Sequence, residues 1–284
     1  METALHTLWI ILPVIPLTAA SLAMICSYLF HREWTFPIAR IGTAVLVCAS
    51  AAVSYLGIQV GTYQEIALMP SGFAIVFLFE PMKLYLLWAL MVPTLLCLFR
   101  IRSLSSPRMV MVFLFYLSGC TGIVVTGDVF NFFVFYELMI MGAYVLISVK
   151  GDHGASVKYM IFGAVSSAIF LAGIVMLYSS EAYFTYGFAS ELSGSGEVNV
   201  ILALYLFLCA FFIKGAFFPV SGWVAPCHSA ANALVSAFLA SFTIFSSVLG
   251  IYYMVLLPAE ALGFREIFVL LRVISGITIA AGAL

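Results

Sequence analysis

Long apolar blocks, separated by short charged or Gly- and Pro-containing punctuation, run the whole length of the chain. A bilayer core takes about 20 apolar residues per helix. Breaking the sequence at its punctuation predicts nine helical spans, at 4–30, 38–60, 78–99, 109–126, 129–149, 155–179, 199–222, 229–257 and 264–284. The segment 61–77 is less apolar, holds Pro70 and Gly72, and predicts an external turn or short hairpin. Residues 180–198 contain Ser-Gly-Ser-Gly and predict an exposed loop. The expected fold class is an all-α membrane protein, a polytopic helix bundle of about nine transmembrane helices with no soluble domain.

Composition agrees with that pattern. Hydrophobic residues make up 65% of the 284 positions and charged residues 8%, and the mean hydropathy is +1.20. Soluble domains carry roughly 25% charged residues, so lipid is the solvent this surface fits. A net charge of −1 leaves no basic footprint for nucleic acid. The six cysteines (Cys26, Cys48, Cys97, Cys120, Cys209 and Cys227) include no CxxC spacing, and five sit in apolar runs. They read as small apolar fillers, not as a disulfide or metal set. The start, METALHTLWII, lacks the basic region of a cleaved signal peptide, and its apolar run is too long for one. There is no P-loop, nucleophile elbow or His-rich run, and no His central to a span as haem ligation needs. Neither a catalytic centre, a cofactor nor a metal is expected.

The connections alternate in charge. Arg32 and Arg40 flank the first, Arg100, Arg102 and Arg108 fill the third, and Lys150 and Lys158 flank the fifth. The second, fourth and sixth carry Glu65, then Asp128, then Glu181, Glu191 and Glu197, without Lys or Arg. The positive-inside rule puts the odd connections in the cytoplasm and the N-terminus outside. Lys83 sits on the wrong side for this rule. Glu80 lies three residues before it, a spacing that pairs the two on one helix face.

Two ionisable residues fall well inside spans. Glu137 lies about 12 Å into a core about 30 Å thick, beyond reach of snorkelling. A charge at that depth costs about 2.5–3.5 kcal/mol. It is either a protonated carboxyl hydrogen-bonded to a neighbouring helix or a proton or ion site. Lys214 is followed by Gly215 and, five residues on, by Pro219. Proline removes a helix hydrogen bond, and the freed carbonyl needs protein or water in lipid. A lysine beside such a break fits a helix lining a hydrated cavity; snorkelling to the cytoplasmic face is the alternative. Lys158, one turn into the sixth span, is a relay residue or an anchor. His228, before the eighth span, titrates near neutrality or holds a structural hydrogen bond. Asp128 reads as a helix cap or surface charge. Arg272, eight residues into the ninth span, needs a partner or a wet face.

At these residues the chain resembles a known family. TGDVFNFFVFYELMIMGAYVLI (126–147) and ASVKYMIFGAVSSAIFLAGIVMLY (155–178) resemble the fifth and sixth helices of the D subunit of Mrp-type multisubunit sodium/proton antiporters. KGAFFPVSGWVAPCHSAANALVSAFLAS (214–241) is similar to the broken seventh helix, following loop and eighth-helix start shared with antiporter-like subunits of respiratory complex I and membrane-bound hydrogenases. GFAIVFLFEPMKLYLL (72–87) resembles the start of the third helix, with Glu80 where an Asp is usual. The resemblance implies a broken seventh helix and the first five-helix half of an inverted-repeat fold. Residues 1–108 would hold three N-terminal helices, 109–257 the five-helix ion-translocating repeat, and 258–284 the first helix of an incomplete second repeat. It implies proton translocation through Glu137, Lys214, Lys158 and His228, with the helix break at Gly215 and Pro219. It also implies other membrane subunits as partners, protons and sodium as the ions, and the plasma membrane of a prokaryote as location.

Two departures from the family pattern stand out. Phe245 occupies the position of the eighth-helix lysine or histidine, with Ser241, Thr243, Ser246 and Ser247 around it, so the proton path is broken or rerouted. The chain ends at AAGAL, which reads as a truncated sequence or a naturally split subunit. A proton/cation-translocating antiporter-like subunit is the expected function. A scaffold that keeps the fold without the path, and an independent secondary transporter, are the rivals. The charge alternation predicts the topology directly. A cysteine at Ser195 is expected to react with an impermeant thiol reagent from outside and one at Ser105 is not; the reverse pattern inverts the orientation.

Overall fold

The computed structural model describes residues 2–29, 34–60, 64–67, 75–100, 104, 106–148, 153–179, 186 and 197–283. The connection charges Arg32, Arg102, Lys150, Glu181 and Glu191 lie outside the described residues. Helices α1 (Glu2–Ile11), α2 (Val14–Leu29) and α3 (Thr35–Val60) lead to a two-stranded hairpin. The hairpin is followed by α4 (Pro81–Arg100), α5 (Pro107–Val125), α6 (Val129–Ile147), α7 (His153–Ser179) and α8 (Glu197–Lys214). A 3₁₀ turn at Val220–Trp223 leads into the short α9 (Val224–Ala230). Helix α10 (Ala233–Ala261) is continuous, with π turns at Leu239–Thr243 and Tyr252–Leu256. Helix α11 (Arg265–Gly282) ends the described chain. Helix runs through most of each predicted span, and the protein is an all-α membrane bundle apart from the hairpin. Among the described residues five helices (α3, α5, α6, α7 and α10) are long and apolar enough to cross a membrane, six if α1 and α2 count as one bent span.

The boundaries that differ from expectation have local causes. The first span bends by 46° between α1 and α2. Pro13 lies at the bend and has no N–H to continue the ladder; its own carbonyl accepts from Ser118 Oγ at 2.7 Å. The third span begins at Pro81, a position where proline's missing N–H is harmless. The residues before it are strand: β1 (Gln64–Ala67) pairs antiparallel with β2 (Val76–Phe79), Gln64 opposite Phe79. This is the hairpin expected in 61–77. The chain there is not external throughout, because all four side chains of β2 are buried.

Helix α5 sits at the centre, packed against α2, α3, α4 and α6. Small residues bring α6 close to it. A Cβ on Gly119 would lie 2.6 Å from Met139 N and 2.8 Å from the Phe135 carbonyl, and one on Gly142 would lie 2.8 Å from Tyr116 Cβ. In lipid, such close approach supplies the dispersion contact that water-driven burial supplies elsewhere. Asp128 closes the α5–α6 turn. Its Oδ1 accepts from Asn131 N at 2.6 Å, capping α6, and its Oδ2 accepts from Val76 N at 3.0 Å, pinning β2. It is a cap, as expected, but a buried one. Trp9 reaches in from α1 and donates to the carbonyls of Leu78 (3.1 Å) and Val125 (3.2 Å). These bonds hold the hairpin on the bundle and fix the start of α6, which carries Glu137.

The α5–α6 approach yields a prediction. Gly119→Val is expected to abolish a folded peak in fluorescence-detected size exclusion, because backbone atoms block the new side chain. Gly276→Val, which meets nothing within 4 Å, is expected to elute as the parent does.

Candidate functional site

Lys214 is the last residue of α8 and is fully buried. The helix stops there and not at Pro219. Ala216 has φ +58°, a left-handed conformation that ends the ladder. Gly215 N donates to the Phe211 carbonyl (2.7 Å) and Phe217 N to Phe212 (3.1 Å). Pro219 lies beyond the helix, ahead of the 3₁₀ turn, so the expected proline kink gives way to a helix end. The end is sealed by Trp223, whose indole donates to the Ile213 carbonyl at 3.1 Å. A cation at a helix C-terminus meets the negative end of the dipole.

Aromatic faces lie over the ammonium. Lys214 Nζ lies 3.4 Å from the centroid of Tyr159 and 5.2 Å from that of Trp223. Such cation–π contacts are worth about 2 kcal/mol or more when desolvated. Among the described residues Nζ has no hydrogen-bond partner, and neither has Glu137 Oε1. Glu137 is half-buried, on α6, and lies within electrostatic range of Lys214 without touching it. Gly163 on α7 lets that helix approach the ammonium: a Cβ there would sit 3.0 Å from Ile140 Cγ2 and 3.5 Å from Lys214 Nζ. The structure therefore brings Glu137 and Lys214 to one interior region.

More hydroxyls gather here than the sequence suggested. Tyr136, Tyr159, Ser167 and Ser247 are buried, and their hydroxyls have no partner among the described residues. Ser247 and Ser166 lie beside the Tyr136 hydroxyl. Thr243 bonds Tyr116 at 2.7 Å and lies beside Tyr159. Phe245 faces outward, 36% exposed, whereas Thr243, Ser246 and Ser247 are buried. The π turn ending at Thr243 resets the register of α10, so hydroxyls and not Phe245 look into the bundle.

The other expected residues are dispersed. Lys158 is on the exposed face of α7 in the isolated chain. His228 is half-buried on α9, its Nδ1 2.9 Å from Ser236 Oγ; burial lowers its proton affinity below that of a free imidazole. Arg272 is exposed on α11. Lys83 is the residue most misjudged from sequence. It is fully buried, and its Nζ donates to the Thr126 carbonyl, not to Glu80, which precedes α4 and so lies outside helical spacing.

Comparison with known proteins places this site in a family. The model describing the NADH:quinone oxidoreductase/Mrp antiporter transmembrane family matches residues 126–284, which include Glu137, Lys158, Lys214 and His228. The D subunit of the Na(+)/H(+) antiporter of Bacillus subtilis is 36% identical over 128 residues, covering 43% of this chain and 26% of that protein. A chain of the Mrp complex from Dietzia sp. DQ12-45-1b superposes with TM-score 0.76 at 23% identity, covering 89% of this chain and 49% of that one. A chain of the membrane-bound sulfane sulfur reductase, an archaeal respiratory membrane complex, gives TM-score 0.78 at 22% identity, covering 87% and 52%. The chain thus spans about half the length of the solved subunits and a smaller share of the curated relative. At these identities the structures establish a common fold.

Trp223→Phe tests the seal on α8. It keeps a ring near Lys214 but deletes the bond to Ile213, and is expected to destabilise by about 1 kcal/mol in detergent unfolding. Trp34→Phe, at a 57% exposed position, is the control expected to leave the midpoint unchanged.

Proposed function

Because the chain belongs to the NADH:quinone oxidoreductase/Mrp antiporter transmembrane family, we propose that it is an ion-translocating antiporter-like subunit of a multisubunit membrane complex, with Glu137 and Lys214 as its proton relay. The observation that carries this reading is the buried Lys214 ammonium at a helix end, without a hydrogen-bond partner among the described residues and within electrostatic range of Glu137. Two separate charges at mid-membrane cost about 5–7 kcal/mol together. At an effective dielectric of about 20, approach to 4 Å returns about 4 kcal/mol. A pair that can close and open therefore holds or releases a proton: with the carboxylate near, the ammonium keeps it, and with the carboxylate withdrawn, desolvation favours the neutral amine. Tyr159 and Trp223 cover Nζ, and Gly163 of α7 lies against it.

His228 and Lys158 extend the reading. Both lie on elements that border the site, α9 and α7, and both fall within the family match. They would connect the relay to the aqueous side or to a neighbouring subunit. The Bacillus relative is named for sodium and protons; sodium as the exchanged cation here belongs to the proposal. The same site serves a redox-driven complex, since the relay responds to charge and not to the energy source. A scaffold without transport is the second reading. It is favoured by one feature: among the described residues, the buried face of α10 beside the relay carries hydroxyls and no Lys, His, Asp or Glu.

Proton flux in proteoliposomes carrying the assembled complex separates the two. Glu137→Gln and Lys214→Ala are each expected to slow flux at least about tenfold, a barrier increase of about 1.4 kcal/mol, at unchanged assembly. Glu137→Asp keeps the charge and is expected to lose less. Wild-type rates in both Glu137→Gln and Lys214→Ala would establish the scaffold.

A further inference from the structure

Lys83 is a second buried lysine, and nothing in the relay above uses it. It lies in the first turn of α4 and is 0% exposed. Thr126, the C-cap of α5, supplies a carbonyl that accepts from its ammonium. The ammonium also meets aromatic faces: Tyr253 of α10 at 5.0 Å and Tyr186 at 5.3 Å from the ring centroids. Tyr186 and Tyr253 stack on each other, centroids 4.8 Å apart and planes at 22°. Two acidic residues lie within electrostatic range, Asp128, which is buried, and Glu80, which is half-exposed beside the hairpin. The surroundings repeat those of Lys214: a helix C-terminus, two aromatic faces and a carboxylate nearby but not in contact.

The two lysines are joined by one helix. On α10, Thr243, Ser246, Ser247, Gly250 and Tyr253 follow each other at short helical intervals, which places them on one face. Thr243, Ser246, Ser247 and Tyr253 are buried. Thr243 lies beside Tyr159, the ring that covers Lys214, and Tyr253 covers Lys83. The two ends are about 15 Å apart at 1.5 Å per residue. The two π turns of α10 fall at those ends, Leu239–Thr243 and Tyr252–Leu256. Single π turns inside α-helices concentrate at functional positions because they free backbone carbonyls and re-aim side chains. Midway, Phe211 of α8 fills the notch left by Gly250, so closely that a Cβ there would overlap its ring. Phe211 is one helical turn from Lys214.

We propose that Lys83 is a second proton station, reached from Lys214 along the hydroxyl face of α10. The reading rests on Lys214 being a relay residue. A proton leaves the Lys214 ammonium, which becomes a neutral amine. It passes through internal water and the hydroxyls of Tyr159, Tyr136 and Ser247, each accepting one proton and giving up another. It arrives on a neutral Lys83 amine, which becomes the ammonium held by Thr126 and the Tyr186 and Tyr253 faces. Glu80 connects that end to solvent. The buried hydroxyls of Tyr159, Tyr136 and Ser247 belong to this route: each costs about 1–3 kcal/mol if left dry, so a set of them is a place for water. Phe211, packed into the notch left by Gly250, is the narrow point on this face. The hydroxyl face thereby replaces the basic side chain that Phe245 does not supply.

The competing role for Lys83 is a structural tether on the Thr126 carbonyl, and arginine separates the two. Lys83→Arg keeps the charge and a donor for Thr126, but a guanidinium does not release its proton. Proton flux is measured in proteoliposomes with a pH-sensitive dye, at assembly matched by the yield of co-purifying subunits. Lys83→Met and Lys83→Arg are both expected to slow flux about tenfold or more. Wild-type flux in assembled Lys83→Arg overturns the inference. If neither Lys83 variant assembles, the double variant Tyr136→Phe/Ser247→Ala decides: severalfold slowing supports the route and wild-type flux overturns it. Lys214→Ala in the same preparation keeps the two readings apart. A dead Lys214→Ala beside an active Lys83→Arg removes this inference alone, and an active Lys214→Ala removes the relay as well.

Discussion

Everything in this molecule is arranged around the cost of keeping a polar group where there is no water. Backbone and side-chain polar atoms in lipid have to be satisfied inside the protein. Most of the chain meets that demand by being helix. The places where helix stops are therefore the informative ones: the Pro13 bend, the α5–α6 turn, the end of α8, and the π turns of α10. At the first two, protein groups meet the demand. Ser118 takes the Pro13 carbonyl, and Asp128 takes two backbone N–H groups at once. At the end of α8 the carbonyl of Ile213 finds Trp223, but the ammonium beside it finds no acceptor among the described residues. That contrast sets Lys214 apart from the polar groups at the other breaks, and the proposed relay rests on it.

The same constraint positions Glu137. A carboxyl deep in a bundle needs its helix held at a fixed height and rotation. Asp128 fixes the height by capping α6 and tying it to β2, nine residues before Glu137. Gly119 and Gly142 fix the distance from α5, and the aromatic cluster of Phe132, Tyr136, Phe170 and Phe211 fixes the contact with α7 and α8. None of these residues carries a charge at the depth of Glu137. They make the carboxyl's location a property of packed elements and not of a flexible side chain.

The helices and the two mid-span charges were legible in the sequence because hydropathy and charge depth are one-dimensional properties. Glu137 and Lys214 stand out as ionisable residues inside apolar blocks, and the hairpin stands out as a dip in hydropathy. What was not legible depends on rotation and tertiary contact. Lys83 looked like a helix-surface partner of Glu80, since spacing alone does not reveal that α4 begins at Pro81 and that Thr126 comes to meet it. Phe245 looked like an interior residue, since an α-helical register does not anticipate a π turn two residues earlier. Pro219 drew attention to a kink that the left-handed Ala216 had already made unnecessary. The rings of Tyr159 and Trp223 were indistinguishable from the many lipid-facing aromatics until the fold put them over Nζ.

Burying a second lysine is the costlier way to build a structural tether. A neutral donor would satisfy a carbonyl at the end of α5 without moving a charge out of water. A lysine there has to be stabilised by two tyrosine faces, a helix terminus and two carboxylates within range, and the fold supplies all of them. A similar set surrounds Lys214, with one carboxylate in place of two. Two environments built alike, at the two ends of one hydroxyl-bearing helical face, are what a bundle needs if a charge is to be held at either end and at neither permanently. A carboxylate in firm contact would trap the proton, and bare hydrocarbon would exclude it. Aromatic faces and a carboxylate at a distance stabilise the ammonium enough to exist and too little to be fixed.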